Sequence, residues 1–133
     1  MNRTDITNEI GKAKNILIVD DDTLNLKLID SYLKELGFNN ISVASNGIDA
    51  ITKLQMKFDL ILLDIGLPDI NGIELCRQIR KLPYGKNVPI IAISAYENEV
   101  KEKCIAANMN CYIRKPLTFI KLKNIISEYI QLN

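Results

Sequence analysis

Five short apolar runs, each followed by an amphipathic or polar stretch of helical period, constrain this 133-residue chain more than any other feature. The runs Asn15–Asp20, Ile41–Ser45, Asp59–Leu63, Pro89–Ile93 and Cys111–Arg114 read as strands β1 to β5. Between β1 and β2, Leu24–Leu36 (α1) sets Leu28, Ile29, Tyr32, Leu33 and Leu36 on one face and stops at Gly37. Helix α2 follows Asn46-Gly47 and carries Ala50, Ile51 and Leu54, and α3 carries Ile73, Cys76 and Ile79. Helix α4 covers about Glu97–Ala107, with a thin apolar stripe of Val100, Cys104 and Ile105. Helix α5 starts beyond Thr118, a suitable N-cap, and offers Leu122, Ile125, Ile126, Tyr129 and Ile130 to a core. Strands separated by helices run parallel through right-handed crossovers, with helices on both faces. The expected fold is α/β, a doubly wound parallel five-stranded sheet. Met1–Lys14 is expected to be a flexible tail or linker, and 15–133 a single domain.

The polar residues that end these runs are not ordinary loop residues. Asp20 and Asp21 close β1, Asp64 closes β3, and Lys115 follows β5 and precedes Pro116. In parallel neighbours all four crowd at the carboxyl edge of the sheet, where open α/β folds place their ligands. A lone acid after a strand is most often a helix cap, and Asp22 or Thr23 fills that role for α1. Asp20 and Asp21 exceed what a cap needs. Clustered carboxylates raise one another's pKa unless a cation sits among them, so the pattern suits a divalent ion on oxygen ligands. With Lys115 as a second positive charge, such a site would bind or receive a phosphoryl group.

Composition excludes more than it selects. The chain has no histidine, which rules out Ser-His-Asp and Cys-His nucleophile systems, the usual zinc sites and a phosphohistidine of its own. Any phosphoryl donor must come from elsewhere. Lys and Arg number 17 against 16 Asp and Glu, so nothing draws the chain to nucleic acid or to a membrane surface. No run of about 18 apolar residues is present. The polar start, with Asp5 and Glu9, lacks the apolar centre of a signal peptide, which points to the cytoplasm. Cys76, Cys104 and Cys111 are expected as reduced thiols. Two motifs fail. With Gly72 at the sixth place of a calcium loop, Leu67 and Gln78 stand where carboxylates are required. Asp20-Asp21-Asp22-Thr23-Leu24 is one place out of register with the DxDx[TV] phosphatase signature.

Taken together, Ile16–Asp21, Asp64 with Pro68 and Gly72, Ser94-Ala95 and Lys115-Pro116 resemble the response-regulator receiver domain of the CheY-like superfamily, in order and spacing, over about residues 15 to 131. The resemblance implies a flavodoxin-like (βα)5 receiver fold with strand order 2-1-3-4-5. It implies phosphorylation of Asp64 by a histidine kinase or histidine phosphotransfer protein in a His–Asp phosphorelay. Mg²⁺ would be held by Asp21, Asp64 and the Gly66 carbonyl, with Asp20 acting through water. Ser94 and Lys115 would bind phosphoryl oxygens, and Tyr112 would be the switch aromatic. Output would pass through the α4–β5–α5 face, about Tyr96 to Ile130, which is also the candidate homodimer surface. A cis Lys115–Pro116 peptide is expected on the same grounds. Such a domain is no stand-alone metabolic enzyme, although it promotes its own aspartate phosphorylation and dephosphorylation. It acts as a single-domain regulator or as the receiver of a hybrid histidine kinase. The different-class alternative is an unphosphorylated pseudo-receiver that serves as an interaction module.

Departures from the family pattern set further expectations. Ser94 keeps the hydroxyl where threonine is equally usual, and Leu117 replaces a frequent phenylalanine. Asn108 stands where the family has glycine, and asparagine tolerates the left-handed conformation best after glycine. Gly66 and Tyr96 occupy the two positions that tune dephosphorylation, and neither supplies a group that would orient an attacking water.

Overall fold

A computed structural model describes residues 14–95 and 98–130. Its elements are β1 (Asn15–Val19), α1 (Thr23–Glu35), β2 (Asn40–Ala44), α2 (Gly47–Lys53), β3 (Leu60–Asp64), α3 (Gly72–Arg80), a 3₁₀ turn (Pro83–Gly85), β4 (Ile90–Ser94), α4 (Asn98–Ala106), β5 (Cys111–Arg114) and α5 (Phe119–Tyr129). All strands pair in parallel, in the order β2-β1-β3-β4-β5. The expected architecture is present, with strand ends displaced by a residue. β1 stops at Val19 rather than Asp20, and β3 and β4 run one residue further, to Asp64 and Ser94. Glu97, the expected start of α4, lies outside the described residues.

Strand side chains alternate between two cores, as the two-residue period requires. Ile16, Ile18, Leu60, Leu62, Ile91, Ile93 and Ile113 face α1 and α5, where Ile29, Leu33, Leu122 and Ile126 meet them. Leu17, Val19, Ile61, Leu63, Ile90 and Ala92 face the other helices, against Ala50, Leu54, Leu75, Cys76, Ile79 and Cys104. β1, β3 and β4 are therefore covered on both faces, and every residue of β3 and β4 is buried. The stripe on α4 is thinner than the sequence indicates: Cys104 is buried, but Ile105 is 47% exposed. Leu28 of α1 also turns outward, at 41%.

Local chemistry ends each helix where the sequence calls for it. Asp22 accepts from the Leu24 amide and caps α1, and Thr118 caps α5 by accepting from Lys121. Gly37, after α1, has φ 98°, and Asn108, after α4, has φ 69°. The three cysteines are free, and no described helix is long and apolar enough to cross a membrane.

The 3₁₀ turn is organised by Arg80. Its guanidinium donates to the carbonyls of Gly85 (2.9 Å), Val88 (2.6 Å) and Asn108 (2.7 and 3.0 Å) and to Asn110 Oδ1 (2.9 Å). One side chain thus joins the end of α3 to the entries of β4 and β5, at the edge of the sheet opposite Asp64.

Candidate functional site

The register Val19–Leu63 between β1 and β3 puts the residues that follow, Asp20 and Asp64, side by side. The Asp20 amide still donates to Ala44 O (3.0 Å), which holds Asp20 in line with the strand it has just left. Its carboxylate, 1% exposed, accepts from the Asp22 amide (2.9 Å) and from the side-chain amide of Asn25. Asp21 points to solvent. Asp64 is 6% exposed, and one ligand oxygen from each of Asp20, Asp21 and Asp64 falls within 4.8 Å of the others. Asp64 Oδ1 accepts from the Gly66 amide (3.1 Å), and Asp64 Oδ2 lies 3.6 Å from Lys115 Nζ. The expectation about strand ends thus holds: residues 44 and 51 positions apart in the chain share one pocket edge.

Ser94 and Lys115 come from β4 and β5. Ser94 is 1% exposed, and its carbonyl accepts from the Lys115 amide at 2.7 Å. The Lys115–Pro116 peptide is cis, as expected. Tyr112, half-buried on β5, packs with Val100 against the core on the α4 side of the sheet. Tyr96 lies outside the described residues. Gly66 is exposed, and a Cβ there would meet nothing nearer than Asp64 Oδ1 at 3.9 Å.

Opposing influences act on Asp64. Burial pushes its carboxyl above the ordinary aspartate range and is the largest effect, and the neighbouring Asp20 charge pushes the same way. The Gly66 amide and Lys115 pull it down without cancelling the rise. A pocket that penalises its own central charge is short of positive charge. The donor set fits Mg²⁺: hard carboxylate oxygens, close enough for one small ion, with solvent on the Asp21 side for the waters that Mg²⁺ retains.

Two residues of the site escaped the sequence reading. Asn25 sits in the first turn of α1, and its only signal was a polar residue on the face that follows the acids. Asp69 accepts from the Gly47 amide (2.9 Å) and the Ile48 amide (3.1 Å) and so caps α2 from a different loop. Those bonds, the Gly47 bond first, hold its carboxyl below the ordinary range.

The profile of the response regulator receiver domain family matches residues 16–127. The chain belongs to that family. This receiver domain is 36% identical over 126 residues to the signal transduction histidine-protein kinase BarA of Escherichia coli, a match covering 93% of the chain and 14% of the kinase. The chain thus spans about a seventh of the length of that kinase. It is 35% identical over 119 residues to the probable transcriptional regulator ycf29 of Porphyra purpurea, covering 87% of the chain and 56% of that protein. Among solved structures it is similar to the receiver domain of sensor histidine kinase PA1611 from Pseudomonas aeruginosa. The TM-score is 0.79 at 33% identity, over 87% of this chain and 96% of that one. That crystal structure has a magnesium ion coordinated in its active-site cleft. The receiver fold and the acidic cluster of a two-component signalling domain are therefore both present.

Proposed function

We propose that this domain is a phosphoacceptor: Asp64 takes a phosphoryl group from the phosphohistidine of a histidine kinase or histidine phosphotransfer protein. The observation that carries this reading is the meeting of Asp20, Asp21 and Asp64 within 4.8 Å, with Lys115 Nζ 3.6 Å from the Asp64 oxygen. An ionised Asp64 oxygen attacks phosphorus, the P–N bond to imidazole breaks, and an acyl phosphate forms on Asp64. Asp21, Asp64 and the Gly66 carbonyl would hold Mg²⁺, with Asp20 reached through water. The ion, when bound, supplies positive charge that offsets the anionic oxygens gathering at the acceptor.

The protein's own groups do the rest. Lys115 favours the ionised form of Asp64 and faces the incoming phosphoryl oxygens. The Gly66 amide fixes one Asp64 oxygen, leaving the other for attack. The acyl phosphate adds a charge of about −1.5 to −2 and strong acceptor oxygens, which the Ser94 hydroxyl reaches by moving inward. Tyr112 then follows into the space released, and the α4–β5–α5 face shifts its population. That face is also the proposed homodimer contact. The domain works as a single-domain regulator or as the receiver of a hybrid kinase, in the cytoplasm. Incubation with a small acyl phosphate and Mg²⁺, followed by intact mass, tests the proposal. One phosphoryl group is expected per chain and none on Asp64→Asn. A wild-type chain that gains no mass is the pseudo-receiver instead.

A further inference from the structure

The loop between β3 and α3 carries Gly66, yet little in that loop holds Gly66 by its own side chains. Gly66 has none, Pro68 is exposed, and Leu67 and Ile70 are only partly covered. At its base, Gly72 closes the loop by donating to Ile65 O (2.9 Å); a Cβ there would stand 2.8 Å from Ile65 Cα. At its crown, Asp69 bonds the loop to another element. Helix α2 begins with amide donors that no helical carbonyl can satisfy. Asn46 Oδ1 takes the Asp49 amide at 2.8 Å, and both Asp69 oxygens take those of Gly47 and Ile48. The two loops also press together: a Cβ on Gly47 would lie 2.3 Å from Ile70 Cγ2.

We infer that Asp69 is a positioning residue for the metal and phosphoacceptor site, acting by tethering the Gly66 loop to the start of α2. The step from Asp69 to Gly66 is short and stiff. Pro68 fixes its own φ and restricts Leu67 before it, so the placement of Asp69 passes to Gly66 with little freedom lost on the way. Gly66 in turn acts twice. Its amide aims the Asp64 oxygen, and its carbonyl is the proposed third protein ligand. A loop released at its crown therefore loosens both groups at once, while the carboxylates of Asp20 and Asp21, held from β1, stay in place.

This inference rests on the phosphoacceptor reading, and the two can fail separately. Mg²⁺ affinity is measured by calorimetry for the wild type, Asp69→Ala, Asp69→Asn and Ala50→Gly. The last loosens α2 without touching Asp69. Asp69→Ala should bind Mg²⁺ roughly tenfold more weakly, the lower end of effects from outer-shell partners. Asp69→Asn, which keeps one acceptor oxygen, should fall between. Phosphorylation by an acyl phosphate should need correspondingly more Mg²⁺ in Asp69→Ala, with its rate largely restored at saturating ion. In the metal-free protein, amide exchange at Gly66 should rise in Asp69→Ala and not in Ala50→Gly. Wild-type affinity in Asp69→Ala, or an equal loss in Ala50→Gly, overturns the positioning role and leaves the phosphoacceptor reading standing. A wild type that neither binds Mg²⁺ nor accepts phosphoryl overturns both.

Discussion

Replacing Asp64 by Asn removes a buried charge from a pocket that disfavours it, so the metal-free variant should be more stable than the wild type. At an effective dielectric of about 20, like charges within 4.8 Å repel by at least about 3.5 kcal/mol, and opposite charges 3.6 Å apart attract by about 4.6 kcal/mol. Repulsion by Asp20 thus offsets the attraction to Lys115, and burial, the largest effect, sets the balance against the ionised form. Asn at 64 retains an oxygen for the Gly66 amide. The expected gain is about 1–2 kcal/mol at pH 7, or a thermal midpoint higher by about 3–8 °C. The sign of the pH dependence follows from the raised folded-state pKa. The relative stability that Asp64 contributes is fully present below its unfolded value, about 3.9, and is lost as pH rises through the folded value. The gap between variant and wild type should therefore close on acidification. Mg²⁺ should invert the order, because a native-state ligand at a hundredfold its Kd adds about 2.7 kcal/mol to the wild type. Thermal melts at pH 7 and pH 4, with chelator and with Mg²⁺, read all four states. A less stable Asp64→Asn in chelator, or an equal response to Mg²⁺ in both proteins, would refute the account of the acidic pocket.

Three further outcomes are expected. A Cβ at Gly66 has room, so Gly66→Asn combined with Tyr96→Glu should shorten the half-life of the phosphorylated state several-fold, about 1 kcal/mol in the barrier, as followed by intact mass. An unchanged half-life would show that a positioned polar group is not what hydrolysis lacks here. Arg80→Ala strands the part-buried carbonyls of Gly85 and Val88 and should cost about 2–3 kcal/mol in urea denaturation, with Arg80→Lys recovering less than half because it cannot fork. A loss under about 0.5 kcal/mol would make the guanidinium contacts incidental. Phosphorylation should change hydrogen exchange over α4, β5 and α5; a change confined to α1 would place the output elsewhere.

Strand and helix order, the covering of both sheet faces and the meeting of Asp20, Asp21, Asp64 and Lys115 were legible because each rests on a periodic or positional signal. Strand–helix alternation called for helices on both faces of the sheet, and the ends of apolar runs named Asp20, Asp64 and Lys115. The contributions of Asn25, Asp69 and Arg80 were not legible. Asp69 and Arg80 act by reaching from one loop or helix to backbone groups of another, and backbone groups leave no trace in the order of side chains; Asn25 acts on the Asp20 carboxylate, a pairing that no periodic pattern marks. The cap on α2 shows the difference well. Asn46 stands where local capping chemistry predicts an acceptor, whereas Asp69 reaches the same helix from 22 residues away. The outward turn of Ile105 was missed for a related reason: a stripe of helical period tells which residues share a face, not how far the sheet beneath extends to meet them.

Because Asp20, Asp64, Ser94 and Lys115 each stand at the end of a different strand, the pocket has an order of arrival during synthesis. Lys115 leaves the ribosome roughly 5–20 s after Asp20 at ordinary elongation rates. Until β5 docks beside β4, a nascent chain carries the acids without their basic counterweight. If Asp64 is the phosphoacceptor proposed above, incomplete chains would be poor recipients for a phosphorylated histidine, and the donor's phosphoryl group would be kept for finished domains.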